Sequence, residues 1–425
     1  MLRDYTRFPE PCKVCPPARF PLYKNLTICY DFAMENNKKK LDPLAILLGA
    51  LLVILALMAA LVFRYYNITH THTPVSTHEP GEWFDLAPEG IVSGDGSSVT
   101  TRMRLGTENK VLILFHGGGI SYNDYTAARP YLGLTMDVEP GFYSANTDGQ
   151  IPDWCGIGIE DDAVLNPFRN WTVINIPYTT GDFHIGDTDY GYTALDGSDA
   201  VLHQHGYENY RAFMDAAMQY ISDQPDELLV TGYSAGGYGA AMLTEDLMVN
   251  YFPDAGHVTV CVDSSVLILS NWTEIFRDVW NAPEQFTEKI RSANLIVDFL
   301  ADLYDTYGDD ITYLYVGSVR DGALARYQTY FDTGVYAASN RNVGIYTAYL
   351  REMIRLLREN VPTVGIYLFD SLPFSIRPNQ FWLTQHTILE TRTVFWRLTD
   401  RTPVIVWLDR AVSGNVTTLG LDLLR

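Results

Sequence analysis

From about residue 82 onward the chain alternates two patterns. Short, mostly apolar runs occupy residues 111–115 (VLILF), 172–177 (TVINIP), 227–232 (ELLVTG), 259–262, 312–316 and 364–369. Between them lie longer stretches, such as 207–219 and 237–250, in which apolar residues suit a helix. A strand that is apolar along its whole length is buried on both faces, and helices between such strands supply the cover. The pattern predicts an α/β domain with a mostly parallel sheet flanked by helices, without internal repeat.

A different pattern precedes it. Residues 44–63 (LAILLGALLVILALMAALVF) are apolar without interruption, long enough for a helix to cross a hydrocarbon core of about 30 Å. The apolar core of a cleaved leader is shorter and nearer the N-terminus, so a transmembrane helix is expected. Flanking charge sets its direction. Residues 1–40 hold eight Lys and Arg, including Lys38, Lys39 and Lys40, and beyond Arg64 the next basic residue is Arg102. The expectation is a single-pass type II membrane protein. It would have a cytoplasmic segment at 1–43, a transmembrane helix at 44–63, a polar stalk at 64–81 and an extracellular domain at 82–425.

Composition narrows the partners. The chain is 47% hydrophobic and 19% charged, as globular proteins are, with a formal net charge of −21. Residues 64–425 carry 22 basic and 46 acidic residues. That excess argues against nucleic acid, whose phosphates need clustered Lys and Arg. Cys12, Cys15 and Cys29 precede the apolar span and make an incomplete zinc knuckle, for which two reduced thiols are the plainer reading. Cys155 and Cys261 follow the span and could form one disulfide, although spacing alone does not show it. His70, His72 and His78 are irregularly spaced and read as a solvated linker. Beyond the apolar span, sequons stand at Asn67, Asn170, Asn271 and Asn415.

The chemistry concentrates in a few motifs. Residues 232–236 (GYSAG) fit G-x-S-x-G, follow an apolar strand and open a helix. That is the context of a nucleophile elbow, with Ser234 on the turn. The domain is therefore expected to be α/β-hydrolase-like. A serine hydroxyl needs a base, and in this fold the triad runs serine, acid, histidine along the chain. Only His257 and His386 follow Ser234. His257 falls just before a strand, at the opposite edge of the sheet from the active-site loops, so His386 is chosen. Asp321, Asp370 and Asp263 all follow strands, and each could instead cap a helix or hold a turn. Spacing favours Asp321. Residues 115–119 (FHGGG) also follow a strand, so the amides of Gly117 or Gly118, with that of Ala235, would face an oxyanion.

These pieces together resemble the pectin acetylesterase/Notum family over roughly residues 82–400. They are the glycine loop at 117–119, NPFRNW at 166–171, IPY at 176–178, GDFHIG at 181–186, the elbow, SVRD at 318–321 and HTIL at 386–389. The resemblance implies a triad of Ser234, Asp321 and His386. It implies carboxylic ester hydrolysis through an acyl-enzyme, without metal or organic cofactor. The expected substrate is an acylated carbohydrate or another ester, with O-acetyl the leading group. Removal of longer acyl chains from protein is the alternative, and a non-catalytic surface binding domain is the other class. The outer part holds only two cysteines and Ile120 and Ser121 follow the glycines, departures that suggest a prokaryotic-type, membrane-anchored member. Asp182, His184 and Trp154 are candidates for substrate binding, although His184 could equally shape its loop from a buried position. Trp154 and Trp171 could stack on a sugar, or pack in the core.

Overall fold

The computed structural model describes residues 43–69, 78–131, 141–147, 155–371 and 383–425. The chain divides into two compact units, Met1–Thr69 and His70–Arg425. In the first, helix α1 (Pro43–Thr69) stands where the apolar span is expected. Its large apolar side chains between Leu44 and Met58 are at least 51% exposed. The backbone of α1 runs 27 residues, but of its side chains only those at 43, 44 and 46–60 are described. Among the described residues no helix is long and apolar enough to cross a membrane. Cys12, Cys15, Cys29, His70, His72 and Trp154 lie outside the described residues.

The second unit is built on an eight-stranded sheet in the order β1-β2-β4-β3-β7-β8-β9-β10. Its strands are β1 (Trp83–Leu86), β2 (Thr101–Arg104), β3 (Lys110–Phe115), β4 (Thr172–Ile176), β7 (Glu227–Tyr233), β8 (Val258–Asp263), β9 (Ile311–Ser318) and β10 (Gly365–Phe369). The strands from β4 to β10 in that order are parallel, and β1 and β2 join antiparallel at one edge. A separate antiparallel hairpin pairs β5 (Thr188–Thr193) with β6 (Asp199–Gln204). The longer helices are α2 (Gly206–Ala217), α3 (Ala235–Asn250), α4 (Leu295–Tyr307), α5 (Gly322–Thr333), α6 (Asn340–Asn360) and α7 (Val404–Val412). The six apolar runs of the sequence are the six parallel strands.

Alternation along each strand divides the core into two layers. Ile113, Ile174, Val230, Val260 and Tyr315 pack into one layer, with residues of α2, α3, α4 and α6. Leu112, Leu114, Val173, Leu229 and Val316 pack into the other, against Ile405, Trp407 and Leu408 of α7. Covering both faces is what lets a strand be apolar throughout. Trp171 belongs to the second layer and meets Phe168 edge-on at 5.0 Å, so it is a core residue.

Cys155 and Cys261 are both buried and both free, so the pairing that spacing left open is not formed. The Cys261 side chain sits in the second layer from the middle of β8, and the Cys155 sulfur faces Asn175 Nδ2 at 3.4 Å. Burial pushes both thiols up and keeps them protonated, which makes them poor nucleophiles. In unreduced, denatured protein both cysteines should take up iodoacetamide. A disulfide-linked peptide pair in the mass spectrum would contradict this.

Candidate active site

Strand β3 lies between β4 and β7, so the chain leaves it in opposite directions on its two sides. Ligands of open α/β sheets bind at such a switch point, beyond the carboxyl ends of the strands. The glycine loop follows β3 and Ser234 follows β7, and register pairs Phe115 with Gly232. The two loops are therefore neighbours by construction.

Ser234 sits between β7 and α3 with φ 54° and ψ −123°, a conformation costing on the order of 1–3 kcal/mol for a non-glycine residue. The flanking glycines are there because the backbones nearly touch. A Cβ on Gly236 would lie 2.0 Å from the Phe115 carbonyl oxygen, and one on Gly232 would lie 2.1 Å from that of Gly236. The turn is held by the Ser234 N–H donating to Asp263 O at 2.8 Å and by Ser265 Oγ donating to Ser234 O at 2.6 Å.

His386 Nε2 stands 2.8 Å from Ser234 Oγ, and His386 Nδ1 stands 2.5 Å from Asp321 Oδ2. A carboxylate only accepts, so Nδ1 carries the proton and the Nε2 lone pair faces the hydroxyl. Asp321 is fully buried, and its other oxygen accepts from the amides of Ala323 (2.9 Å) and Leu324 (2.8 Å), capping α5. The other sequence candidates do different work. Asp370 pairs with Arg320 at 2.5 Å. His257 meets Thr312 Oγ1 at 3.1 Å, just before β8 begins. Asp263 Oδ2 accepts the amides of Ile388 (2.8 Å) and Leu389 (2.9 Å), fastening the loop that carries His386.

The charge around His386 is one-sided. Burial lowers its affinity for a proton. The Asp321 carboxylate, by charge and hydrogen bond, and then the charges of Glu390 and Asp263 outweigh burial, and the net shift is upward from the ordinary 6.5. Burial pushes Asp263 up to about 6 and Glu390 up to about 7, the latter also through the charge of Asp263. Glu390 Oε1 accepts from Thr387 Oγ1, while Oε2 is buried with no hydrogen-bond partner among the described residues.

The glycine loop rests on a buried polar frame. Asn175 Oδ1 accepts from His116 Nε2 (3.2 Å), His116 Nδ1 accepts from the Tyr233 hydroxyl (3.0 Å), and that hydroxyl faces the Gly117 amide. Burial pulls His116 down to about 4, against the Asn175 hydrogen bond, so the ring is neutral at pH 7. His184 Nε2 donates to the His116 carbonyl at 2.9 Å, and burial lowers that ring to about 3. Asp182 accepts from Thr180 Oγ1, the His184 amide and the Gly206 amide. His184 and Asp182 are both almost completely buried, with partners inside the protein. Of the two roles weighed for His184, binding substrate or shaping its loop from a buried position, these internal bonds favour the second.

The Gly117 amide faces the Tyr233 hydroxyl, and a Cβ on Gly117 would lie 2.7 Å from the Ser234 Cβ, whereas Gly119 (φ +81°) lines the pocket beside Ser234 and Ala235. Among the described residues this pocket measures about 240 Å³ with its open mouth. Ile120, Phe183, Tyr238, Leu267, Leu324 and Tyr327 complete its mostly apolar lining. Phe183 is itself fixed by stacking on Tyr238, at 4.1 Å between ring centres and 2° between planes.

Residues 87–282 match a family model described as pectinacetylesterase. That span contains the glycine loop and the elbow and ends before Asp321 and His386. A search of the curated proteins finds no match. Two crystal forms of the Wnt deacylase Notum from Drosophila resemble the chain at 16% identity, with TM-scores of 0.54 and 0.55. The first covers 79% of this chain and 95% of its own, the second 80% and 96%. At that identity the likeness is one of fold: a mixed α/β domain on a large, mostly parallel sheet.

The raised affinity of His386 for a proton has a sign that can be checked. The imidazole stays charged to a higher pH than an ordinary one, and becomes able to accept the Ser234 proton only as pH rises past that point. An NMR titration should place its midpoint above 6.5. In Glu390→Gln, which removes a nearby negative charge, the midpoint should fall. An unchanged midpoint would remove Glu390 from this account.

Proposed function

We propose that the outer domain is a serine esterase that hydrolyses short O-acyl esters, with O-acetyl groups on carbohydrate as the leading substrate. The observation that carries the reading is the line from Ser234 Oγ through the His386 ring to Asp321, at 2.8 and 2.5 Å. Ser234 Oγ would attack the ester carbonyl as its proton passes to His386 Nε2. The carbonyl oxygen, now negative, would be met by the amides of Ala235 and of the glycine loop. The alcohol leaves with the proton held by His386, and the acyl group stays on Ser234. Water then attacks that ester by the same route, releasing the carboxylic acid. Asp321 keeps the ring oriented and balances its positive charge. Loss of one oxyanion donor costs roughly 3–4 kcal/mol of activation energy in such sites.

The family match over 87–282 supports ester chemistry, and the pocket supports a short acyl group. Large side chains, among them Phe183, Tyr238 and Tyr327, close around the pocket and leave little free room beside Ser234. Of the apolar stretch at 262–300, Leu267 alone lines the pocket among the described residues. The second reading, removal of a longer acyl group from protein, has in its favour the apolar lining and a fold shared with a protein titled a Wnt deacylase. Against p-nitrophenyl esters of increasing length, activity should be highest at acetate and fall at least tenfold by octanoate. Ser234→Ala should lose at least 1,000-fold, as loss of a triad nucleophile does. Undiminished activity in that variant ends the serine mechanism, and a maximum at long chains favours the second reading.

We further propose that α1 anchors the chain, with residues 1–43 cytoplasmic and 82–425 outside. The support is the apolar run at 44–63 with the lysines at 38–40 on one side of it. The full chain should stay in the membrane pellet at alkaline pH, and external protease should leave only the N-terminal part protected. Release by alkali would refute the anchor.

A further inference from the structure

The β5–β6 hairpin carries a group of side chains that the ester chemistry does not use. Register sets Asp189 of β5 directly opposite His203 of β6, where side chains on one face of an antiparallel pair lie about 4.5–5.5 Å apart. His205 follows His203 by two residues, the spacing that returns a side chain to the same face of an extended chain. It stands just beyond the end of β6, at the start of α2. His203 Nδ1 lies 2.6 Å and His205 Nε2 lies 3.0 Å from the same oxygen, Asp189 Oδ1. The three donor atoms lie within 4.8 Å of one another.

We propose that His203, His205 and Asp189 form a binding site for a zinc-like divalent cation. Two imidazoles and one carboxylate are ligands for zinc, copper, nickel or ferrous iron, whereas calcium and magnesium prefer oxygen. Around tetrahedral zinc, with ligand bonds near 2.0–2.2 Å, neighbouring donors stand roughly 3.3 Å apart. The two separations from Asp189 Oδ1 here, 2.6 and 3.0 Å, are a little shorter than that. The fourth position would be left to water.

The surroundings of His205 support a metal ligand rather than a simple ion pair. Its second nitrogen, Nδ1, is 3.4 Å from Asp187 Oδ1 and 3.6 Å from Glu208 Oε2. Metal-bound imidazoles almost always donate their outer N–H to a carboxylate, a backbone carbonyl or water, which fixes the ring and the tautomer. His205 thus has a carboxylate on each nitrogen, one placed to share the metal and two placed to hold the ring. Both histidines are partly sheltered, with side chains 30% and 22% exposed, while the acids are 55–61% exposed. An ion can reach the group without any element moving.

The site would be structural. It would tie both strands of the hairpin to the first residue before α2. The amide that follows, of Gly206, is held by Asp182 at 2.9 Å, in the frame that supports the glycine loop. The ion would take no part in the reaction at Ser234.

Zinc chloride is the probe, added to metal-free full-length chain and followed by equilibrium dialysis with metal analysis. The full chain should bind one more equivalent of zinc than the double variant His203→Ala/His205→Ala. Any zinc held by Cys12, Cys15 and Cys29 is common to both. Asp189→Asn, close in size and shape, should weaken that equivalent at least tenfold. Cobalt bound at this site should show d–d bands without thiolate charge transfer, and those bands should vanish in the double variant. Equal zinc stoichiometry in the parent and the folded double variant would overturn the proposal. Should the double variant fail to fold, unchanged zinc affinity in Asp189→Asn would do so instead.

Discussion

The whole site depends on two pieces of main chain lying closer than side chains would permit. The glycine loop after β3 and the elbow after β7 meet backbone to backbone, at positions 117, 232 and 236 where even a methyl group has no room. Register brings the two strand ends together. The missing Cβ atoms then allow the final approach, and dense packing around the elbow maintains an unfavourable φ at Ser234. A nucleophile aimed outward and an amide-rich wall beside it follow from that single contact.

Around this contact the protein surrounds its reactive groups with buried polar residues whose partners are internal. His116, His184 and Asp182 are ionisable, yet they act as struts: the two rings stay neutral and the carboxylate is spent on a hydroxyl and backbone amides. Behind His386 the arrangement is different. Asp321, Asp263 and Glu390 all favour a charged imidazole, so one side of the ring is acidic and the other faces the serine.

Much of the sheet was legible in the sequence, since continuous apolar runs persist only where both faces are covered. β1 and β2 were not, because four residues are too few for a periodic signal, and neither was the polar hairpin of β5 and β6. Chain order selected Ser234 and His386, spacing favoured Asp321, and the structure brings those three side chains together. The contacts of Asp263 and the pocket-lining place of Gly119 depend on remote parts of the chain. Asp263 meets amides more than 120 residues away, and nothing local announces it. For His184 and Asp182 two roles stayed open in the sequence, because a histidine and an acid after a strand look alike whether they face solvent or hold up a loop.

Helix α5 joins two duties that could have been separate. Its first turn is capped by one oxygen of Asp321 while the other oxygen holds the imidazole, and Leu324 and Tyr327 of the same helix wall the pocket. An oversized guest pressing on that wall pushes the lever that aims the proton acceptor. In an esterase working as proposed, bulk in the acyl group would thereby be sensed as misalignment of the reacting atoms as well as crowding. Poor guests would be turned over slowly even after they had bound.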